Sequence, residues 1–356
     1  MVNTATTLPG FWQGKRVLLT GHTGFKGSWL ALWLARLGAH VTGLALPPDT
    51  APNLYTLARL DEQTESHFCD IRNAEDTAAI IRQAQPEIVF HLAAQALVRA
   101  GYADPLGTYA SNVMGTAHVL DALRGLDSVR VAVIVTTDKV YRPKENTYPY
   151  RETDTLGGYD PYSASKAASE IVIDSYRQAF LSKQDIAIAS ARAGNVIGGG
   201  DWSADRLIPD AVRAWQANTP LQIRQPESIR PWQHVLEPLH GYLCLAQQLW
   251  EGTANAHAYN LGPLPHEAAT VRQVITLARA AYGKGETYWG NDNNGMPEAG
   301  WLALETALAR QTLGVTPRWT LEAAVTRTLD WYRKQQEGHD AVALCLEDLA
   351  AYIGKL

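Results

Sequence analysis

The sequence predicts an α/β fold: a doubly wound parallel sheet with helices on both faces, followed by a smaller C-terminal α/β region. Three observations lead there. A short apolar run, a glycine-rich turn and an apolar helix succeed one another between Arg16 and Gly38. Short apolar runs then alternate with helical stretches up to the Gly198-Gly199-Gly200 run. From Asp201 onward that alternation loosens into short strands and amphipathic helices. Strands alternating with helices at such spacing build parallel sheets with helical crossovers.

Val17-Leu18-Leu19 reads as a strand buried on both faces. Gly21, Gly24 and Gly27 follow in Gly-x-x-Gly-x-x-Gly spacing, and Leu30, Leu32, Trp33, Leu34 and Leu37 make the helix that Gly38 closes. Strand, glycine turn and helix together form the entry to a Rossmann-type dinucleotide site. Gly21 permits the turn, Gly24 lets backbone approach a pyrophosphate, and Gly27 lets the helix pack on the strand. His40–Leu46 is the second strand. The nearest acid past it is Asp49 and no arginine sits there for a 2′-phosphate, which favours NAD over NADP. Glu65–Cys69 is the third strand. Asp70 and Ile71 at its end stand where adenine would be contacted, or Asp70 caps a helix at Asn73–Gln83.

Glu87–Leu92 is the fourth strand, and small Ala93 and Ala94 let its exit approach a flat ligand, with Gln95 after them. Asp104–Leu123 reads as one long helix carrying Tyr109 and Asn112. Arg130–Thr136 is a dense apolar strand ending in Thr137-Asp138-Lys139, at the carboxyl edge where such sheets place chemistry. A further helix starts with Tyr162 and Lys166, and Ile186–Ala191 leads into an exit loop with Asn195. Helices at Arg206–Ala217, Val235–Leu249, Val271–Tyr282, Leu302–Leu313 and Leu321–Lys334 and strands at Leu221–Ile223 and Tyr259–Gly262 complete the chain. Residues 1–200 are thus expected to bind the cofactor and carry the chemistry. Residues 201–356 mainly hold the substrate, with some chain crossing back to the sheet.

Apolar residues make up 46% and charged residues 19% of the 356, enough for a full core. Net charge is −5 with no basic tract, which argues against nucleic acid. No apolar run reaches membrane-spanning length, and Met1–Gly14 lacks a leader pattern. The three cysteines and ten histidines show no metal spacing, so no metal is expected and a reducing, cytoplasmic setting is. The eleven tryptophans are expected mostly in the core or at subunit contacts, with some lining a ligand pocket.

Tyr162 and Lys166 are four residues apart and share one helix face. A phenol is a poor base at neutral pH until a neighbouring ammonium stabilises its phenolate. Beside a nicotinamide, such a phenolate can take a hydroxyl proton while hydride leaves the same carbon. With these residues the sequence resembles the extended short-chain dehydrogenase/reductase family. The resemblance rests on Gly21-x-x-Gly24-x-x-Gly27, Tyr162-x-x-x-Lys166, Leu92-Ala93-Ala94, Asn112 and the Leu302–Thr320 stretch, and runs over nearly the whole chain. It implies NAD held by Gly21, Thr23, Gly24, Phe25, Lys26, Gly27, Asp70, Ile71, Leu92, Ala93, Ala94, Asn112, Thr136, Tyr162 and Lys166. It also implies a nucleotide sugar held by Gln95, Asn195, Arg206, Leu207, Arg230 and His234.

Thr137-Asp138-Lys139 points within that family to the sugar-nucleotide 4,6-dehydratases. The flanking Gly21–Leu30, His91–Gln95, Arg192–Trp202 and Arg230–His234 motifs resemble those of members acting on CDP-glucose, and the resemblance implies that substrate. Such an enzyme oxidises sugar carbon 4, removes a proton from carbon 5, expels the carbon 6 hydroxyl as water and returns hydride to carbon 6. Thr137 would bind the carbon 4 oxygen, Tyr162 would serve the oxidation, and Asp138 would protonate the leaving hydroxyl. Lys139 would be the carbon 5 base or would stay charged and stabilise the enolate, with Tyr162 or water taking the proton. A 4-epimerase and a non-catalytic nucleotide sensor are the competing readings. The acid-base pair argues against the first, and retention of Thr137, Asp138, Tyr162 and Lys166 together argues against the second. The resemblance further implies a homodimer or dimer of dimers through the two long helices, and a role in supplying deoxysugars for surface polysaccharide such as lipopolysaccharide O-antigen.

Overall fold

In the computed structural model, which describes residues 9–144, 148–290 and 300–354, the seven strands of the main sheet all run parallel. Residues 1–8, part of the Met1–Gly14 stretch read above, lie outside the described residues. The strands are β1 (Arg16–Thr20), β2 (His40–Ala45), β3 (Glu65–Phe68), β4 (Ile88–His91), β5 (Val131–Thr137), β6 (Ala187–Ala193) and β7 (Ala258–Leu261). Their order is β7-β6-β5-β4-β1-β2-β3. The chain reverses direction of growth between β1 and β4, the switch point at which such sheets open a crevice. Register aligns Thr20 with His91 and Thr137 with Ala193, so the exits of β1, β4, β5 and β6 share one edge.

β4 and β5 are buried along their whole length, because helices cover both faces. On one face pack α1 (Phe25–Arg36) and α2 (Leu236–Glu251), with Trp12, Trp29 and Trp215 fully buried in that layer. Ile81, Val119, Leu120 and Ile173 fill the other face. Most tryptophans of the described residues are core, and Trp232 lines the cleft.

Three elements differ from the sequence reading. The long helix is broken into Pro105–Tyr109, a π-turn at Ala110–Met114, and Gly115–Ala122, which run on as one rod. Such bulges recur at functional sites, and this one carries Asn112. Leu302–Leu313 is not one amphipathic helix. Trp301 and Leu304 instead form bridges to Ile229 and Tyr150, and helical structure is assigned only from Ala307 onward. Tertiary pairing with a distant loop overrides the local apolar period there. A C-terminal helix, Ala341–Ile353, capped by Asp340, was not anticipated.

The core holds four neutral histidines. Burial pushes His22 and His240 to about 4, and His91 and His234 to about 3, from an ordinary 6.5. His91 sits between the hydroxyls of Thr20 and Thr116, at 2.7 and 3.0 Å, a satisfied core histidine. Their stabilising contribution is complete above 6.5 and is lost as pH falls, because the unfolded chain then takes up protons that the folded chain refuses. By about pH 5 the loss is on the order of 2 kcal/mol per histidine. Asp348, raised to about 6 by burial, works oppositely and offsets part of it. The urea midpoint is expected to drop markedly between about pH 7 and 5; an unchanged midpoint would contradict this.

Candidate active site

A cleft of about 920 Å³ opens at the carboxyl edge of the sheet. Its floor begins at the glycine turn. Gly21 has φ +77°, and a Cβ there would lie 2.8 Å from the Ala93 nitrogen. A Cβ on Gly27 would lie 2.0 Å from the Gly21 oxygen, so only glycine lets α1 start this close to β1. Above Gly24 a Cβ would meet just the Gly21 oxygen, at 3.5 Å, which leaves an open cradle. No side chain caps α1 and its first turn has no acid, so its terminal amides and positive end face the cleft. That donor set fits a dinucleotide's diphosphate.

Thr23, Phe25 and Lys26 line the turn, and the Thr23 hydroxyl donates to the Leu46 carbonyl at 2.8 Å. Asp49, Asp70 and Ile71 line the far wall, with Leu92, Ala93 and Ala94 between. Asp70 accepts from the Arg72 backbone and guanidinium, which hold it below the usual carboxylate range. Asn73, not Asp70, caps Ala74–Ala84.

Across the cleft stand Thr136, Thr137, Asp138 and Lys139 from the end of β5, facing Tyr162 and Lys166 on α3 (Pro161–Ala179). The Thr137 hydroxyl donates to Asp138 Oδ1 at 3.0 Å and accepts from the Lys139 backbone N–H at 3.3 Å. Asp138 is 3% exposed, and its Oδ2 has no hydrogen-bond partner among the described residues. Burial raises its pKa against the pull of Lys139, Thr137, Arg230 and Lys26. A carboxyl disposed to keep its proton is a competent acid.

Burial also holds the Tyr162 phenol up at about 12, countered by a hydrogen bond with Thr137 and by Arg206. Here the expected effect of Lys166 is corrected. Its Nζ donates to the Val135 carbonyl at 3.2 Å, and burial lowers it to about 8. The groups that pull Tyr162 toward ionisation in this structure are Thr137 and Arg206.

Of the expected substrate contacts, Gln95, Asn195, Arg206, Leu207 and Arg230 line the cleft. Arg206 Nε is buried without a hydrogen-bond partner among the described residues and lies 3.8 Å from Asp201. His234 does not reach the cleft. It is fully buried among Trp29, Trp319 and, at 4.0 Å, Asp348 of the C-terminal helix, so a role in substrate contact is withdrawn. Asn112 is likewise no direct wall of the cleft. Its side chain bonds both backbone groups of Gln95 and the Ser165 hydroxyl, tying the β4 exit to the helix of Tyr162.

Sequence reasoning missed the group behind Thr136. Glu170 accepts from Thr136 at 2.5 Å, from Ser190 at 2.8 Å, and from two nitrogens of Arg192 at 2.9 Å each. Arg192 in turn donates to Tyr141. The available signal was spacing, since Glu170 lies one helical repeat beyond Lys166 on the face that begins at Tyr162.

A family model described as NAD dependent epimerase/dehydratase family matches residues 17–262. A CDP-glucose 4,6-dehydratase from Salmonella typhimurium is 44% identical over 96% of this chain and 97% of its own length. A dTDP-glucose 4,6-dehydratase from Xanthomonas campestris is 26% identical, over 90% of this chain and 93% of its own. Among solved structures, a UDP-glucose 4-epimerase from Stenotrophomonas maltophila with bound NAD superposes with a TM-score of 0.79. It is 21% identical, covering 91% of this chain and all of that one, a likeness of fold. The cradle at Gly24, the Tyr162–Lys166 pair and a match across two thirds of the chain agree: this protein is a member of the NAD-dependent epimerase/dehydratase family, within the extended short-chain dehydrogenases/reductases.

Proposed function

We propose that the protein is a cytoplasmic lyase that converts CDP-glucose to CDP-4-dehydro-6-deoxyglucose, with NAD as a recycled cofactor. The observation that carries this reading is Asp138, a buried carboxyl with one free oxygen, beside Thr137 and across from Tyr162. Oxidation and reduction at carbon 4 need no such acid; expulsion of a hydroxyl does. The 44% identical relative carries the name of this activity.

Held at the Gly21–Gly27 cradle, NAD would supply the acceptor for the carbon 4 hydride and the donor of hydride to carbon 6. The protein's part is proton handling and positioning. Tyr162 takes the proton of the 4-hydroxyl, and Thr137 holds that oxygen. Lys139 takes the carbon 5 proton, or holds the enolate while Tyr162 or water takes that proton. Asp138 gives its proton to the departing 6-hydroxyl, and the group that took the carbon 5 proton returns one there as hydride reaches carbon 6. Thr137, whose hydroxyl donates to Asp138, lines the same cleft as Tyr162, so the group that gains a proton and the one that loses it work side by side. Arg206 and Arg230 suit the substrate diphosphate, since guanidinium forks match phosphate oxygens. In this reading residues 1–200 bind NAD and do the chemistry, and residues 201–356 hold the nucleotide.

The test is incubation with CDP-, UDP-, dTDP- and GDP-glucose, followed by product mass and sugar analysis. Loss of one water from the CDP sugar is expected. Epimerisation without water loss would mean that Asp138 and Lys139 were misread, and inertness toward all four would favour a sensor.

A homodimer belongs to the same reading. Leu106 is 80% exposed and Ile171 63% exposed, with Met114 also exposed, on the two long helices through which the resemblance implies a dimer. Such a patch suits a second copy packing helix on helix. Light scattering is expected to give twice the chain mass, or four times for a dimer of dimers. The double variant Leu106→Glu, Ile171→Glu is expected to reduce it, and a monomeric wild type would reject the dimer.

A further inference from the structure

Lys26 occupies the second position of α1, where a lysine would ordinarily extend into solvent. Here the side chain folds into the cleft and its Nζ donates to Tyr242 Oη at 3.3 Å, with the Tyr242 ring 5.8 Å away. Tyr242, on α2, is fully buried. Among the described residues Lys26 makes no ion pair with a carboxylate within 4.0 Å. The charged groups facing it are two cations, Arg206 from the start of the Leu207–Gln216 helix and Lys166 from α3, and one acid, Asp138 from the end of β5. Tyr162 is the titratable neighbour of Tyr242. The positive end of α1 adds to this surplus. An ammonium with cations on two sides, at a helix start and partly out of water, is poorly supported until an anion arrives. Burial first, then Arg206 and Lys166, bring Lys26 down to about 7.

We propose that Lys26 becomes a full ammonium only when the cofactor's diphosphate enters the cradle beside it, so that NAD binding takes up a proton at this side chain. The proposal rests on the NAD reading and extends it, making this chain's cofactor affinity depend on pH through one lysine. Above neutral pH the empty protein carries Lys26 mostly uncharged and must protonate it to bind. Affinity therefore weakens as pH rises, by about fivefold between pH 7 and 8 if the coupling is complete.

Calorimetric titration of the whole protein with NAD, at about pH 8 in buffers of different ionisation enthalpy, counts the protons. The wild type is expected to take up nearly one per NAD. Lys26→Met is expected to bind more weakly with little uptake. Lys26→Arg, charged throughout, is expected to bind with no uptake and with an affinity nearly flat across this range. Wild-type binding without uptake, or uptake that persists in Lys26→Met or Lys26→Arg, overturns the proposal and would turn attention to Lys166. No binding of NAD by the wild type would instead overturn the cofactor reading on which the proposal stands.

Discussion

Replacing Tyr162 by phenylalanine is expected to lower turnover by about a thousandfold while NAD still binds. The ring is 8% exposed and its packing survives the change, so the fold is retained. What is lost is the hydroxyl that, in the proposed mechanism, takes the 4-hydroxyl proton, and a positioned acid-base group contributes about 10²–10⁴ in rate. The cradle of Gly21, Gly24 and Gly27 does not involve this hydroxyl. Product formation read beside NAD affinity separates the two effects. Turnover within tenfold of wild type would remove Tyr162 from the chemistry. Loss of NAD binding with loss of turnover would make it a cofactor residue first.

Asp138→Asn is expected to stop the reaction after oxidation. Asparagine keeps the size and can still accept from Thr137, but it has no proton to give a leaving hydroxyl. Turnover should fall by roughly 10²–10³, and rapid quenching should recover a 4-keto sugar that still carries its 6-hydroxyl. Stability should not suffer. Burial disfavours the Asp138 anion, whose folded pKa is raised, so its contribution to stability is present at low pH and lost as pH rises through that pKa. An uncharged replacement avoids the loss. Full turnover in Asp138→Asn would leave the acid to another group, and a block before oxidation would assign Asp138 to substrate placement.

The parts of the site legible in the sequence are those set by local spacing. Three glycines at three-residue intervals before a helix, Tyr162 and Lys166 one helical turn apart, and Thr137-Asp138-Lys139 at a strand's end each declare their geometry within a few residues. The structure brings them around one cleft because β1, β4 and β5 end at one edge. Less legible were residues whose surroundings come from far along the chain. His234 follows a motif that points at the site, yet Trp319 and Asp348 close over it. Asn112 is spent on Gln95 and Ser165 because the π-turn aims it there. The apolar period of Leu302–Leu313 suggested a helix, but its first half is taken by bridges to Tyr150 and Ile229. Burial reversed the simplest electrostatic expectation, since Tyr162 is held up by desolvation and Lys166 is lowered by it.

The most direct measurement is the fate of deuterium placed on carbon 4 of CDP-glucose. Oxidation at carbon 4, loss of water and return to carbon 6 within one closed cleft require the label to appear in the 6-methyl group of the same molecule. A mixture of labelled and unlabelled substrate should show no crossover. Deuterium kept at carbon 4, washed into solvent or exchanged between molecules would contradict a dehydratase that recycles its cofactor at Tyr162 and Asp138.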